Sequence, residues 1–340
     1  MAMNFFPGTL AESLSEMAGY KVGLALSVEE ICDHLTGPGD LADIVRRSEE
    51  RSVRIRSEAY EAIHYRLLHR IGFTEDEMDG FPPGARAFHK YKAFPKLLAC
   101  HEAMHRIYLE MLPAMMQDAL TRADKSLNPR PFVERCKSEL GLEGMKMALD
   151  HINELANKLR ASPFTLGRFV EWASPLELKR LFRGTAQTPE VGKFIDQRYL
   201  DYLSNNGHRI GEMHWRKFEE LTAEYFEREG FRVEIGPGSN DDGVDVRLWK
   251  PEAPEDSKPT CIIQCKRQKD KIEKVVVKGL AADVEYEGAD YGMIVTTSNL
   301  SPGAATTISA RGYPIQAVER DAVIKWLQQL RTPGTGIVRV

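Results

Sequence analysis

The chain changes its periodicity near Asn205-Asn206-Gly207, and that change limits the folds open to it more than any other feature. Before it, apolar residues recur at intervals of three and four, the spacing of one helical face. The stretches 40–70, 89–112, 143–160 (EGMKMALDHINELANKLR) and 188–204 all show this pattern. Gly37-Pro38-Gly39, Phe81-Pro82-Pro83-Gly84, Asn128-Pro129-Arg130-Pro131 and Ser162-Pro163 punctuate the run into separate helices. Ser174-Pro175 and Thr188-Pro189 each read as an N-cap followed by proline at the first helical position. The first part is therefore predicted to be an all-α domain.

After the boundary, helices alternate with short strands. Residues 212–229 gather Trp215, Phe218, Leu221, Tyr225 and Phe226 on one helical face, and Gly230 stops the helix. Strands are predicted at FRVEIG (231–236), GVDVRLW (243–249) and CIIQCKR (261–267). A helix over 274–287 leads to YGMIVTTS (291–298), whose unbroken apolar run suits a strand buried on both faces. A helix opened by Ser301-Pro302, a strand IQAVE (315–319) and a helix over 321–330 capped by Asp321 complete the order αβββαβαβα, an α/β domain. Two domains are expected, 1–205 and 206–340, and 340 residues is ample for two cores.

Composition narrows the partners. Lysine and arginine number 46 against 50 aspartates and glutamates, so nothing in the bulk charge draws the chain to nucleic acid or to an anionic membrane. Any such contact must come from a local patch. No run of 18 apolar residues exists and the first residues lack a signal-peptide pattern, so no membrane and a cytoplasmic location are expected. The five cysteines, Cys32, Cys100, Cys136, Cys261 and Cys265, lie in apolar contexts and read as buried thiols.

Polar groups interrupt the second half where a core strand should be apolar. In IIQCKR, Gln264 and Lys266 are two residues apart and share a face, with Ile263 and Cys265 on the other. Asp245 sits between Val244 and Val246 in the preceding strand, and Glu219 lies on the helix before it. Carboxylates and an amide oxygen can hold a hard divalent cation, and a neighbouring lysine can orient water and offset charge on a phosphate. This is equipment for metal-assisted hydrolysis of a phosphodiester. Asp241 and Asp242, just before Gly243, are read as turn formers.

At these residues the sequence resembles the catalytic domain of the Mrr-like (type IV) restriction endonucleases, a branch of the PD-(D/E)xK nuclease superfamily, over roughly 212–330. The segments FEELTAEYF, NDDGVDV, IIQCKR and YGMIVTTS followed by LSPGA carry the resemblance in order. It implies a restriction-endonuclease-like α/β domain with an αβββαβ core. It implies Asp245 as a metal ligand, Gln264 and Lys266 as the Q-x-K motif, and Glu219 as a residue that helps bind metal or position water. Glutamine stands where the wider superfamily has an acid. The implied ion is Mg²⁺, with Mn²⁺ as a substitute, on Asp245, Gln264 and the backbone carbonyl of Cys265. Thr296, Thr297, Ser298, Leu300 and Ser301 match the segment that faces the DNA backbone.

A local basic patch supplies what the bulk charge lacks. Lys266, Arg267, Lys269, Lys271, Lys274 and Lys278 fall within thirteen residues and are placed to meet phosphates. In the helical half, His101-Glu102-Ala103-Met104-His105 matches the H-E-x-x-H of zinc peptidases, although Leu97, His101, Met104, Tyr108 and Met111 also form a packing stripe. LSVEEICDHL (26–35) faintly suggests a helix-turn-helix opening, but reads better as a capped amphipathic helix. The leading expectation is a Mg²⁺-dependent DNA endonuclease of restriction or defence type. Its helical part would regulate, recognise, respond to a protein or small-molecule trigger, or form a homodimer or higher oligomer. A catalytically inactive DNA-binding scaffold is the alternative, and a zinc peptidase the third reading.

Overall fold

The computed structural model describes residues 2–78, 83–122, 126–164, 173–184, 188–190, 192–238 and 243–331. Asp241, Asp242 and the Phe81-Pro82 part of the predicted break lie outside these described residues.

The first part is rich in helix, as its periodicity predicts, but it is not purely α. Strand β1 (Ala2–Phe5) precedes α1 (Thr9–Val22), β2 (Leu24–Ala25), α2 (Val28–His34) and α3 (Leu41–Glu50). Ser27 caps α2 in a reciprocal box with Glu30, the arrangement its sequence foretells. The long helical stretch predicted over 40–70 is interrupted by β3 (Val53–Arg56), which pairs antiparallel with β1, before α4 (Ser57–Arg70). Helices α5 (Pro83–Tyr91), α6 (Pro95–Thr121) and α7 (Arg130–Ala161) follow, α7 being broken at Gly141. Ser174-Pro175 opens no long helix: the chain instead forms β4 (Leu176–Glu177), parallel to β2, and then the single turn α8 (Arg180–Arg183).

Thr188-Pro189 opens no helix either. Helix α9 (Gln197–Asn205) starts nine residues later, where Asp196 accepts from Arg198 N. The cause is tertiary. Arg198 is fully buried and grips Asp196 with two hydrogen bonds of 2.8 Å, while its Nη1 donates to the carbonyls of Gly23 and Ser174. Removing one partner of such a buried pair costs about 3–5 kcal/mol, far more than local helix propensity can return.

The second part follows with helix α10 (Trp215–Arg228), β5 (Arg232–Ile235), β6 (Val246–Trp249), β7 (Cys261–Lys266), α11 (Lys274–Glu287), β8 (Tyr291–Thr296), α12 (Pro302–Arg311), β9 (Ile315–Val318) and α13 (Arg320–Leu330). The strands form one sheet in the order β5-β6-β7-β8-β9, antiparallel from β5 to β7 and parallel from β7 to β9. Ser301 caps α12 ahead of Pro302, as predicted. Asp321 lies in the first turn of α13 rather than at its cap, which is Glu319. Trp215, expected on the buried face of α10, is 43% exposed, whereas Tyr225 stacks on Trp326 at 4.0 Å.

Among the described residues, three apolar cores hold the chain. One face of the sheet packs on α11 and α12 through Ile262, Val277, Leu280, Ile294 and Ala304. The other joins Phe218, Leu221, Ile263, Val323 and Leu327 to Leu14, Ile63, Leu67, Tyr199 and Leu203 of the helical part, so the core runs unbroken across position 205. A separate core closes the α6–α7 pair around Met104, Tyr108, Phe132, Met147 and Ala148. His101 and His105 belong to this packing: their rings lie parallel at 6.3 Å, and His105 meets His151 of α7 edge-on at 5.8 Å. Among the described residues no group of three or more His, Cys, Asp or Glu could hold a metal ion, so the zinc reading has no site. No helix among them is long and apolar enough to cross a membrane.

Helix α4 meets α9 with no room to spare at Gly72, which adopts φ 90° just after the helix. A Cβ there would overlap the Asp201 carbonyl. Gly72→Ala is therefore expected to destabilise the protein by more than about 2 kcal/mol, combining positive-φ strain with a backbone clash. The urea midpoint of full-length variant and wild type measures it.

Candidate active site

Strand β7 runs through the middle of the sheet. Cys261, Ile262 and Ile263 have no exposed surface, whereas Gln264, Cys265 and Lys266 are half-buried as the strand emerges from the core. The pairing of β6 with β7 reaches Val246 opposite Ile263, and Asp245 N still donates to Ile263 O at 2.9 Å. Beyond that point Asp245 supplies its side chain in place of a ladder carbonyl: Oδ2 accepts from Cys265 N at 2.6 Å. On its other side, Asp245 O accepts from Gly236 N at 2.8 Å. Backbone bonds to both neighbours thus fix where this carboxylate stands.

Helix α10 brings Glu219 to the same place. Glu219 is 4% exposed, and its Oε2 accepts from Arg216 Nη1 at 2.9 Å. The same Arg216 nitrogen donates to Gly236 O at 2.8 Å, bracing α10 against the end of β5. Burial, and next the charge of Asp245, push the Glu219 carboxyl up to about 7. Glu220, its neighbour in sequence, is instead paired with buried Lys217 at 2.6 Å and takes no part. Arg216 carries no motif and its role was not visible in the sequence. Only its spacing of three from Glu219 on a helix could have suggested the pair.

Gln264 turns its side chain over Gly243, whose φ of 88° and missing Cβ make the space: a Cβ there would lie 2.9 Å from Gln264 Nε2. Its Oε1 is buried, with no hydrogen-bond partner among the described residues. An orphaned amide oxygen near two mutually repelling carboxyls is an all-oxygen donor set that fits a hard divalent cation. Cys265 lies behind them, its Sγ 3.5 Å from Thr222 Oγ1, and burial raises its thiol well above the ordinary range.

The three hydroxyl residues at the end of β8, Thr296, Thr297 and Ser298, are turned inward. Thr296 Oγ1 donates to Lys266 O, Thr297 Oγ1 donates to Gln268 O and accepts from Gln268 N, and Ser298 Oγ donates to Lys269 O. All three are buried. Their hydroxyls hold the segment that follows β7. That segment carries Arg267, Lys269, Lys271, Lys274 and Lys278, all exposed.

A mixed sheet flanked by helices thus carries two carboxyls, an amide oxygen and a lysine at the end of its central strands. Residues 210–327 match the family model Mrr_cat, described as a restriction endonuclease. A solved structure of the MspJI restriction endonuclease in complex with a 27-mer oligonucleotide is similar at 18% identity and a TM-score of 0.27, over 52% of this chain and 38% of that one. A TM-score of that size does not define a shared architecture, and the chain spans well under half of that protein. No curated protein sequence matches the chain.

The raised carboxyl has a thermodynamic signature. Its folded value of about 7 exceeds the ordinary 4.5, so the folded state holds a proton that the unfolded state has released. The stability this gives is fully present below pH 4.5 and is lost as the pH rises through about 7. In buffer free of divalent cations, Glu219→Gln should match wild type near pH 4.5 and be the more stable of the two above about pH 7, by on the order of 3 kcal/mol at most. Thermal melts across that range test it; parallel curves for the two proteins would refute the shift.

Proposed function

We propose that the protein is a divalent-metal-dependent DNA endonuclease with the αβββαβ core of the PD-(D/E)xK nucleases, working in restriction of foreign or modified DNA. The observation that carries this reading is the buried Glu219–Asp245 pair beside the partnerless buried oxygen of Gln264, which lies two residues from Lys266 on the same face of β7. Asp245, Gln264 and the carbonyl of Cys265 would hold Mg²⁺, or Mn²⁺ in its place. When bound, the ion supplies charge for a phosphate oxygen and lowers the pKa of water.

The rest is done by the chain's own groups. Lys266 offers its ammonium to the attacking water and to the negative charge that builds on the phosphate. Glu219 is held by Arg216 where it can accept a proton from that water or bond it in place. Exposed Arg267, Lys269, Lys271, Lys274 and Lys278 meet phosphates on either side, and the inward hydroxyls of Thr296, Thr297 and Ser298 keep their segment in position. Residues 1–205 form the regulatory or recognition part in this proposal, and a second copy would allow both strands to be cut. A cytoplasmic location suits the role.

Incubation of plasmid DNA with purified protein, with and without Mg²⁺, tests the reading. Asp245→Asn and Lys266→Ala are each expected to lower the cleavage rate by about 100-fold or more while leaving the fold intact. Cleavage that persists in either variant removes the assignment. DNA binding without nicking of any substrate, methylated DNA included, would point to a scaffold instead.

A further inference from the structure

A cavity of about 730 Å³ opens in the helical part, between the segment after α4 and helices α5, α6 and α7, with the residue following α13 forming one wall. Its size falls within the range of small-molecule sites. Arg160 is 7% exposed, the side chain of Arg331 also 7%, and His151 8%. Of the acids in the lining, Glu75 and Asp150 stand at the mouth with side chains 71% and 63% exposed, while Glu154, 24% exposed, lies deeper and is paired with Arg86 at 3.4 Å.

We propose that this cavity binds a small anionic ligand bearing a phosphate group, gripped by Arg160 and Arg331. Guanidinium groups offer paired N–H donors that match the oxygens of a phosphate. The Arg160 guanidinium lies 4.6 Å from the centre of the Phe73 ring, and its Nη2 donates to Phe73 O at 2.8 Å, so its direction is set in advance. Arg331 Nη2 donates to Gly72 O at 3.2 Å, and Nη1 reaches Glu75 Oε1 only at 3.4 Å, across a solvent-screened contact.

Two further observations point to a ligand. His151 lines the cavity, and its buried Nε2 has no hydrogen-bond partner among the described residues. Burial, followed by the neighbouring His105 and His101, pushes this imidazole down to about 4, so at neutral pH it is uncharged and can bond a ligand without competing for its charge. Burial, and next Arg331, also lower Arg160 from its ordinary value. A bound anion relieves both costs. The volume exceeds the needs of inorganic phosphate, so the ligand carries more than that group, with Phe73 and Tyr91 available as apolar walls.

Such a ligand would tie α7 of the helical part to the end of α13. The site does not depend on the nuclease reading and stands or falls apart from it. Titration calorimetry of the full-length protein with pyrophosphate and with a nucleoside 5′-monophosphate tests it. Saturable binding of one equivalent is expected, weakened about tenfold or more in Arg331→Gln. Arg160→Gln should act likewise, but this buried residue also packs, so the exposed pair Arg86→Ala with Lys90→Ala serves as a second variant that keeps its fold. It should weaken binding about threefold, since rim charges contribute less. Lys271→Ala with Lys274→Ala should leave affinity unchanged. Failure of both probes to bind at millimolar concentration overturns the proposal. So does affinity that survives in Arg331→Gln and in the Arg86/Lys90 variant, or that is lost with Lys271 and Lys274.

Discussion

The structure depends most on how strand β7 ends. Its first three residues are sealed on both faces, so its register against β6 and β8 leaves no freedom, because a slip of one residue would send Gln264 and Lys266 into the apolar side. At its end β6 no longer supplies carbonyls, and a buried Cys265 N–H left alone would cost about 1–3 kcal/mol. The Asp245 carboxylate takes that bond. A buried acid just before β6 is thus placed by the same hydrogen-bond accounting that builds the sheet. Glu219 then meets Asp245 because α10 is fixed on that face by Phe218 and Leu221, with Arg216 limiting how far the two acids can part.

Much of this was legible in the sequence, for a physical reason. A polar residue inside an apolar strand has to be explained by a partner or a ligand, and Asp245, Gln264 and Lys266 stood out for that reason. The apolar run of β8 and the glycine-bounded helices of the second part were equally plain. What could not be read depends on contacts distant in sequence. Strands of two residues, such as β2 and β4, carry no period. The stretch 188–196 has helical signals, yet Asp196, Arg198 and Glu224 hold it in another path: Glu224 Oε2 accepts from both Lys193 N and Phe194 N. Thr296, Thr297 and Ser298 drew notice only through the family resemblance, and nothing in their spacing shows that they satisfy backbone groups of the neighbouring segment.

Those same contacts change the meaning of the boundary near residue 205. A linker joining independent domains would be exposed and poor in contacts. Here α9 is buried along most of its length, Gln197 donates to Leu330 O at 3.0 Å, and Arg228 of α10 reaches both Gln197 and Leu330. The sheet's own helices α10 and α13 therefore share a core with α1, α4 and α9. A change in how the helical part packs would be felt first at α10, the helix that presents Glu219. That gives regulation of the proposed site a direct mechanical route, without any flexible tether.

Electrostatics adds a further constraint. With a net charge of −4, the chain as a whole does not attract a polyanion, while exposed cations gather just past β7. Inside the proposed site the balance is reversed, since burial, and next the charge of Asp245, push the Glu219 carboxyl up to about 7. A phosphate approaching through the cationic surface would therefore meet negative charge at the point of reaction. On the proposed function, a divalent ion removes this conflict by converting the acid pair from a barrier into an anchor, and the exposed cations then pull in the same direction as the site. Binding and chemistry would in that way be conditional on the same ion.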